Sequence, residues 1–217
     1  MNLRSIFAFS LFLIFAFYST NTDAATTAPP IKVEIFYETL NDAARQFFVY
    51  QFTPQFFAEH HDKLTLAIIP YGNTTANQDR YVCPFGNQQC QANKMHACFL
   101  KTEVDPNPSA IIEDRVASNV VAFLHCFFKN RRAEKNLDTL GEQCMPSGHE
   151  PDWPTIRTCL FEDESIMDRF ASLTELIGDD IKDDGLAVRI GSGNITDNNK
   201  VNFTKEICTR LGVSVYQ

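Results

Sequence analysis

The pattern of apolar and polar positions first predicts a strand followed directly by a helix. The segment Ile31 to Glu38 alternates apolar and polar residues, as a half-buried β-strand does. Helical periodicity begins at Asn41, a favourable N-cap, and Asp42 suits the first turn. Pro54 is expected to kink this helix or divide it in two, because proline lacks a backbone N–H. The predicted buried side of the helix consists of phenylalanines: Phe47, Phe48, Phe52, Phe56 and Phe57.

Later segments extend the pattern into a strand–helix–strand unit, a helical middle and a final strand and helix. A second, mostly apolar strand is predicted at Leu64 to Ile69, and the β-α-β order implies parallel pairing with a right-handed crossover. A further strand is predicted at Leu186 to Ile190 and a closing helix at Val201 to Leu211. Helical periodicity marks the segments between them, at residues 108–130, 132–144, 153–161 and 164–177. This order predicts the α/β class, a thioredoxin-like sheet with an inserted helical, disulfide-bonded subdomain.

The first residues of the chain have the pattern of a secretory signal peptide. Arg4 precedes an apolar stretch from Ile6 to Tyr18, and Thr22 and Ala24 occupy the −3 and −1 positions of a cleavage site. We therefore expect residues 1–24 to be a signal peptide and residues 25–217 to be one thioredoxin-like domain. The helical, cysteine-rich insertion is predicted at about residues 81–178.

Charge and hydropathy argue against nucleic-acid binding and against an integral membrane segment. The formal net charge is −8, and removal of residues 1–24 takes away one cation (Arg4) and one anion (Asp23), so it stays at −8. An acidic domain of this kind is not expected to bind nucleic acid. After signal cleavage no apolar run is long enough for an integral membrane segment.

The chain contains seven cysteines, an odd number, so at least one thiol is left over or pairs with another molecule. A secretory route favours disulfides over zinc ligands. Three Asn-x-Ser/Thr sequons suit the same compartment and predict glycosylation at Asn73, Asn194 and Asn202. We expect a secreted protein, or one of the endosomal or lysosomal lumen.

The cysteine-rich stretch from Cys83 to Cys98 resembles the signature of the gamma-interferon-inducible lysosomal thiol reductases. The matching residues are Cys83, Gly86, Cys90, Asn93 and Cys98, while Pro84, Phe85 and Gln89 depart from the signature. Three further segments are similar to the family: Tyr37-Glu38-Thr39-Leu40, Ile69-Pro70-Tyr71-Gly72-Asn73, and the run Cys126, Cys144, Trp153, Ile156 and Cys159. The resemblance covers about Lys32 to Leu211 and is closest to insect, mosquito-like secreted members. It implies a thioredoxin-like domain that, in active members, reduces protein disulfides in acidic compartments.

The departures from the family fall on its redox site. The resemblance places the nucleophilic cysteine at residue 41 and its resolving partner at residue 44, where this chain has Asn41 and Ala44. The active-site-facing proline of the family falls near Leu186. Since disulfide exchange begins with attack by a thiolate, these residues predict loss of the reductase mechanism and no catalytic residues. Asn41 would still cap the helix.

The resemblance also assigns roles to the seven cysteines. It leaves Cys208 as the candidate free thiol. It implies structural disulfides among the other six, which are Cys83, Cys90, Cys98, Cys126, Cys144 and Cys159. The pairing of the six stays open. Cys208 could be buried and inert or could link the protein to a partner through a disulfide. Adjacent His60 and His61 do not converge as metal ligands would, so neither a metal nor a cofactor is expected.

These observations predict a glycoprotein of the thiol-reductase family that has lost its reductase site and binds a protein partner of unknown identity. An alternative is an oxidoreductase acting on disulfides of protein substrates, weakly or through a non-standard thiol such as Cys208. A third hypothesis is a stored or structural secretory protein in which the fold is kept only for stability.

Overall fold

The structure, a computed structural model, describes most of the chain beyond the predicted signal peptide. The described residues are 29–70, 75–77, 80–103, 114–147, 152–163, 165–168, 171, 185–196 and 200–214. The predicted signal peptide and the sequon at Asn73 lie outside them. Within these ranges, no helix combines the length and the apolar character needed to cross a bilayer.

A small mixed sheet forms the centre of the molecule. Its three strands are β1 (Ile31–Tyr37), β2 (Leu64–Ile69) and β5 (Leu186–Ile190). Two further strands, β3 (Thr75–Asn77) and β4 (Arg80–Val82), lie outside this sheet. The sheet has the order β2-β1-β5, in which β1 pairs parallel to β2 and antiparallel to β5. Strands β3 and β4 form the antiparallel hairpin. The predicted α/β class, the parallel first pair and the returning strand are all confirmed.

The helices are α1 (Asp42–Gln46), α2 (Pro54–His60), α3 (Asn87–Glu103), α4 (Asp114–Asn130), α5 (Leu137–Gln143), α6 (Trp153–Glu162) and α7 (Phe203–Leu211). Helix α3 lies in the cysteine-rich stretch, which the sequence pattern did not assign to a helix, and the start of α5 differs from its predicted position. Helix α5 begins five residues later than predicted, because the Asn136 side chain caps it by accepting from the N–H groups of Asp138 and Thr139. The helix predicted over residues 164–177 lies mostly outside the described residues, and 166–168 and 171 within it are helical.

Pro54 divides the first predicted helix into two. Helix α1 continues into a π-helical turn over Phe47–Gln51, and the helical conformation then ends at Phe52 and Thr53. Thr53 Oγ1 accepts from Phe56 N at 3.1 Å and caps α2, where Pro54 takes the first position and needs no N–H partner.

The predicted phenylalanine face is confirmed as the main core. Phe47, Phe48, Phe52, Phe56 and Phe57 are all buried. Ring contacts join them to other elements: Phe48 stacks on Phe128 of α4 at 4.8 Å, and Phe47 meets Phe203 of α7 at 5.2 Å, both between centroids. The core thus joins α1, α2, α4 and α7 into one apolar layer.

Three disulfides organise the helical region between β4 and β5. Cys98–Cys159 joins α3 to α6, Cys126–Cys144 joins the end of α4 to the end of α5, and Cys83–Cys90 closes the turn that leads into α3. Trp153, the sole tryptophan, is 7% exposed and packs beside Gly141 of α5. Covalent links therefore hold these helices to one another in addition to apolar packing.

Candidate functional site

The junction between β1 and α1 carries the residues that the sequence singled out. Asn41 has extended backbone angles, and its Oδ1 accepts from Ala43 N at 2.7 Å and from Ala44 N at 3.2 Å. Two of the N–H groups left unpaired at a helix start are thereby satisfied. Ala44 is fully buried on the inner side of α1. The two positions at which the family resemblance places cysteines thus hold a cap and a packing residue.

Arginines at the end of α4 fix this junction from the other side. Arg131 donates to Leu40 O at 2.7 Å and to Asn41 O at 3.0 Å, and it also pairs with Asp42 Oδ1 at 2.9 Å. Arg132 donates to both carboxylate oxygens of Asp42 at 3.0 Å. The hydrogen bond from Arg132 is the main reason why the pKa of Asp42 lies below its usual value. Burial lowers the pKa of Arg131, yet the carbonyls and carboxylate around it suit the cation.

Gly185, directly before β5, covers Asn41. Its carbonyl accepts from Glu38 N at 2.9 Å, and its φ is +62°, a conformation that glycine adopts without strain. A Cβ at this position would lie 2.5 Å from both Asn41 Nδ2 and Glu38 Oε2. Leu186, where the resemblance places the active-site-facing proline, pairs with Tyr37 in the sheet and is buried. The residue that meets the Asn41 side chain is therefore Gly185.

Helix α3 supports the junction from below with two buried polar contacts. Asn93 Oδ1 accepts from Thr39 N at 3.0 Å and from Thr39 Oγ1 at 2.7 Å. One turn further on, His96 Nδ1 and Tyr37 Oη are hydrogen-bonded at 2.9 Å. Asn93 is one of the residues that match the family signature, and its side-chain oxygen holds the backbone just before Asn41.

His96 lies in an apolar environment and is uncharged. It is fully buried, with the ring of Phe127 at 4.3 Å and that of Phe123 at 5.3 Å between centroids. Burial, with a smaller contribution from the Arg131 charge, lowers the pKa of His96 to about 3. Burial likewise raises the pKa of Tyr37 well above its usual value. The two rings therefore form a neutral hydrogen-bonded pair that joins β1 to α3.

Cys208, the candidate free thiol, is free and buried on α7, with 3% of its surface exposed. It borders a cavity of about 480 Å³ together with Tyr50, Phe56, Glu59 and His60. Burial raises the pKa of the Cys208 thiol, and the negative charge of Glu59 raises it further. A reactive cysteine needs a lowered pKa and access, and Cys208 has neither.

The described sequons lie on the surface. Asn194 and Asn202 are exposed, and Asn194 borders a cleft of about 1130 Å³ that is also lined by Lys32, Arg189 and Arg210. Arg210 donates to Ile190 O at 3.0 Å, and Arg189 pairs with Glu34 at 3.0 Å. The exposure of Asn194 and Asn202 leaves room for a glycan at either asparagine.

Part of the chain is similar in sequence to a known protein family. Residues 32–147 match the family described as Gamma interferon inducible lysosomal thiol reductase (GILT). The chain belongs to the GILT family. This match ends at residue 147, so the resemblance seen from there to Leu211 rests on the residues themselves.

Individual relatives of the GILT family align over part of the chain. GILT-like protein 1 of Drosophila melanogaster is 27% identical over 139 residues, which is 62% of this chain and 55% of that protein. The gamma-interferon-inducible lysosomal thiol reductase of Carassius auratus is 32% identical over 78 residues, 34% of this chain and 31% of that protein. The chain thus spans about half or less of the length of these curated relatives.

The thioredoxin-like fold of this GILT member is also seen in a solved structure. The crystal structure of Chlamydia trachomatis DsbA superposes with a TM-score of 0.52 at 14% identity, covering 85% of this chain and 86% of that one. At this identity the likeness concerns the fold. It supports the predicted thioredoxin-like sheet with inserted helices.

Two residues of the junction were not found by sequence reasoning. Gly185 had only a weak signal, a glycine directly before a buried strand in the Asp-Asp-Gly segment. Arg131 had none, because a basic pair after a helix usually indicates a solvated helix end. The hydrogen bond between His96 and Tyr37 was not predicted from the sequence either.

Proposed function

We propose that this GILT-family chain is a secreted or lumenal glycoprotein that has lost thiol reductase activity and acts by binding a protein partner. The observation that carries the proposal is the use made of residues 41 and 44. Asn41 caps α1 through its side-chain oxygen, and the Ala44 side chain is buried in the core. Neither residue can attack a disulfide or resolve a mixed disulfide, because both steps need a thiolate.

The surroundings of Asn41 support a retained scaffold. A helix N-terminus would lower the pKa of a cysteine placed there, and that feature is still present. Gly185, Asn93 and Arg131 continue to fix the backbone around residue 41. The junction therefore keeps the geometry in which a thiol would be activated and lacks the thiol itself.

The remaining sulfur atoms offer little support for the oxidoreductase alternative. Six cysteines are engaged in disulfides, and Cys208 is buried with a raised pKa. A thiol that stays protonated and covered is a poor nucleophile at neutral pH and a poorer one in acid. These properties favour binding over catalysis for the natural chain.

The decisive experiment compares reductase activity of the mature protein with that of the double variant Asn41→Cys/Ala44→Cys. Both would be assayed on a protein disulfide substrate at acidic and at neutral pH. We expect no activity from the natural protein and measurable activity from the double variant. Asn41→Ser/Ala44→Ser is the matched control, because serine keeps the cap without supplying sulfur. Reductase activity of the natural protein would overturn the proposal.

Glycosylation and secretion are tested separately. Expression of the full chain in a secretory host should yield a secreted protein whose mass falls after treatment with an N-glycosidase. Asn194→Gln and Asn202→Gln would each remove one glycan if both exposed sequons are used. Retention of the unprocessed, unglycosylated chain inside the cell would contradict this part of the proposal.

A further inference from the structure

A groove on the helical region carries the most exposed aromatic side chain of the described residues. The Phe161 side chain is 68% exposed at the end of α6. It borders a groove of about 480 Å³ between α3, α5 and α6, whose other apolar lining includes Met95, Leu137 and Leu160. Single exposed apolar residues are common on protein surfaces, but an exposed phenylalanine over an apolar groove is typical of an interaction site.

The aromatic ring is held in place. Arg157 lies over the Phe161 ring at 5.7 Å from its centroid, and the same guanidinium approaches Asp138 at 3.5 Å. Asp138 Oδ1 is buried and has no hydrogen-bond partner among the described residues. The groove therefore offers a positioned apolar contact, the Phe161 ring, beside the ion pair of Arg157 and Asp138.

The charges around the groove select the partner. Lys94 and Lys135 lie along its edge, while Asp138 is offset by Arg157. Glu134, whose carboxylate accepts from Asn136 N at 2.8 Å, offsets one of the two lysines, so these groups leave a net charge of +1 at the groove, on a chain of net charge −8. An acidic segment would be attracted to this site, and a basic one would be disfavoured.

We propose that the groove between α3, α5 and α6 binds a peptide segment of a partner protein that has an apolar anchor flanked by acidic residues. The volume suits a few side chains, so the occupant is a short segment rather than a domain surface. The inference rests on the proposed binding function and names its surface and its partner chemistry.

Helix α3 separates this groove from the Asn41 junction. Gln88, Gln91 and Met95 line the groove, whereas Asn93 and His96 contact the residues just before Asn41. A substitution at Phe161 changes neither these contacts nor the cap of α1. Binding at the groove and chemistry at the junction can therefore be tested independently.

The test uses three labelled synthetic peptides and the mature full-length chain. The first has leucine anchors with glutamate flanks, the second has the same anchors with lysine flanks, and the third has serines in place of the leucines. Fluorescence anisotropy should show that the first binds at least about tenfold more tightly than the others. Phe161→Ser should weaken that binding by about tenfold, and Lys135→Glu by several-fold, roughly as expected when an anchor or an edge charge is lost.

Tyr50→Ser is the matched control. Tyr50 is 62% exposed, close to the value for Phe161, and lies beside the Cys208 cavity instead. Its replacement should leave peptide affinity unchanged. Unchanged affinity of Phe161→Ser, or equal binding of all three peptides, would overturn the inference. A dimer in sedimentation that Phe161→Ser dissociates would overturn it too, because the occupant would then be a second copy of the chain.

Failure of this inference is distinguishable from failure of the proposed function. If the natural chain lacks reductase activity and the peptides do not bind, the groove assignment alone is wrong. If the natural chain reduces disulfides, the loss of activity is wrong whatever the peptides do.

Discussion

The Asn41 junction and the helical region are stabilised by different chemistry. At the junction, hydrogen bonds and ion pairs from Arg131, Asn93 and Gly185 hold the backbone, and no cysteine is present. In the helical region, three disulfides join α3 to α6, α4 to α5 and the two ends of the turn before α3. In this GILT-family chain, disulfides therefore cross-link the helical region, whereas hydrogen bonds and ion pairs hold the junction.

The comparison shows that the start of α1 is held without a covalent cross-link. A helix start next to a buried strand needs a cap, a backbone support and room for the neighbouring loop. Asn41 and Asn93 meet the first two needs with side-chain amides, and Gly185 meets the third because it has no side chain. Under the proposed loss of reductase activity, this geometry is present without the thiol that disulfide exchange requires.

The largest expected effect comes from removing the disulfide that joins distant segments. Cys98 and Cys159 are 61 residues apart, so Cys98→Ala/Cys159→Ala should lower the free energy of unfolding by about 4 kcal/mol through added unfolded-state entropy. The shorter Cys83–Cys90 link, with a separation of 7, should contribute about 2.5 kcal/mol by the same relation. Urea denaturation of both double variants measures the two values. Equal losses would mean that loop length does not set the contribution.

Packing at Gly141 should have the next largest effect. A Cβ there would overlap the Trp153 ring and lie 2.7 Å from Met95 Sδ. Gly141→Ala should therefore destabilise the chain by roughly 2 to 3 kcal/mol, although alanine usually favours a helix over glycine. Thermal and urea denaturation would measure the loss. A stabilised variant would show that α5 and α6 can move apart without cost.

His96 connects the two regions and should make stability depend on pH. Its pKa is about 3 in the folded state and near 6.5 when exposed, so the unfolded chain binds the extra proton as the pH falls. The contribution is fully present above about pH 6.5 and is lost progressively down to about pH 3. We expect a loss of about 2 kcal/mol between about pH 7 and about pH 5, measured by urea denaturation.

His96→Gln is the variant that isolates this effect. Glutamine can hydrogen-bond Tyr37 Oη through its amide but does not titrate. The variant should lose most of the stability difference between neutral and mildly acidic pH. The lowered pKa values of Asp42 and Asp163 contribute only at lower pH, where those carboxylates begin to protonate. An unchanged pH dependence would assign it to another group.

The smallest expected effect concerns the cap itself. Asn41→Ala removes two hydrogen bonds to first-turn N–H groups and should cost about 1 kcal/mol. Asn136→Ala is the matched control, because Asn136 makes the same two contacts at the start of α5, at 3.0 and 3.2 Å. A much larger loss at Asn41 than at Asn136 would mean that Asn41 also stabilises Gly185 and β5.

Much of the architecture was predictable because it depends on local periodicity. The alternation of apolar and polar residues predicted β1, and the apolar run predicted β2. The spacing of the phenylalanines predicted the core. The boundary of α5 was missed because Asn136 competes with preceding residues as a cap, and hydrophobic spacing does not decide between caps.

The candidate site was only partly predictable, since its support comes from distant segments. The position of Asn41 followed from the resemblance and from its capping preference. Arg131 and Gly185, which lie far from Asn41 in sequence, contact it only because the fold brings α4 and β5 to the end of β1. Disulfide pairing had the same limit, because spacing does not say which helices become neighbours.

Because Cys208 is buried, its reaction with a thiol reagent can report local opening of the folded protein. The thiol is on the buried side of α7, so we expect a bulky maleimide to react with it when that helix moves away from the core. The rate of labelling under native conditions therefore measures how often the C-terminal part of the molecule opens. Because the six other cysteines form disulfides, one modified site per chain would identify the event without any engineered label.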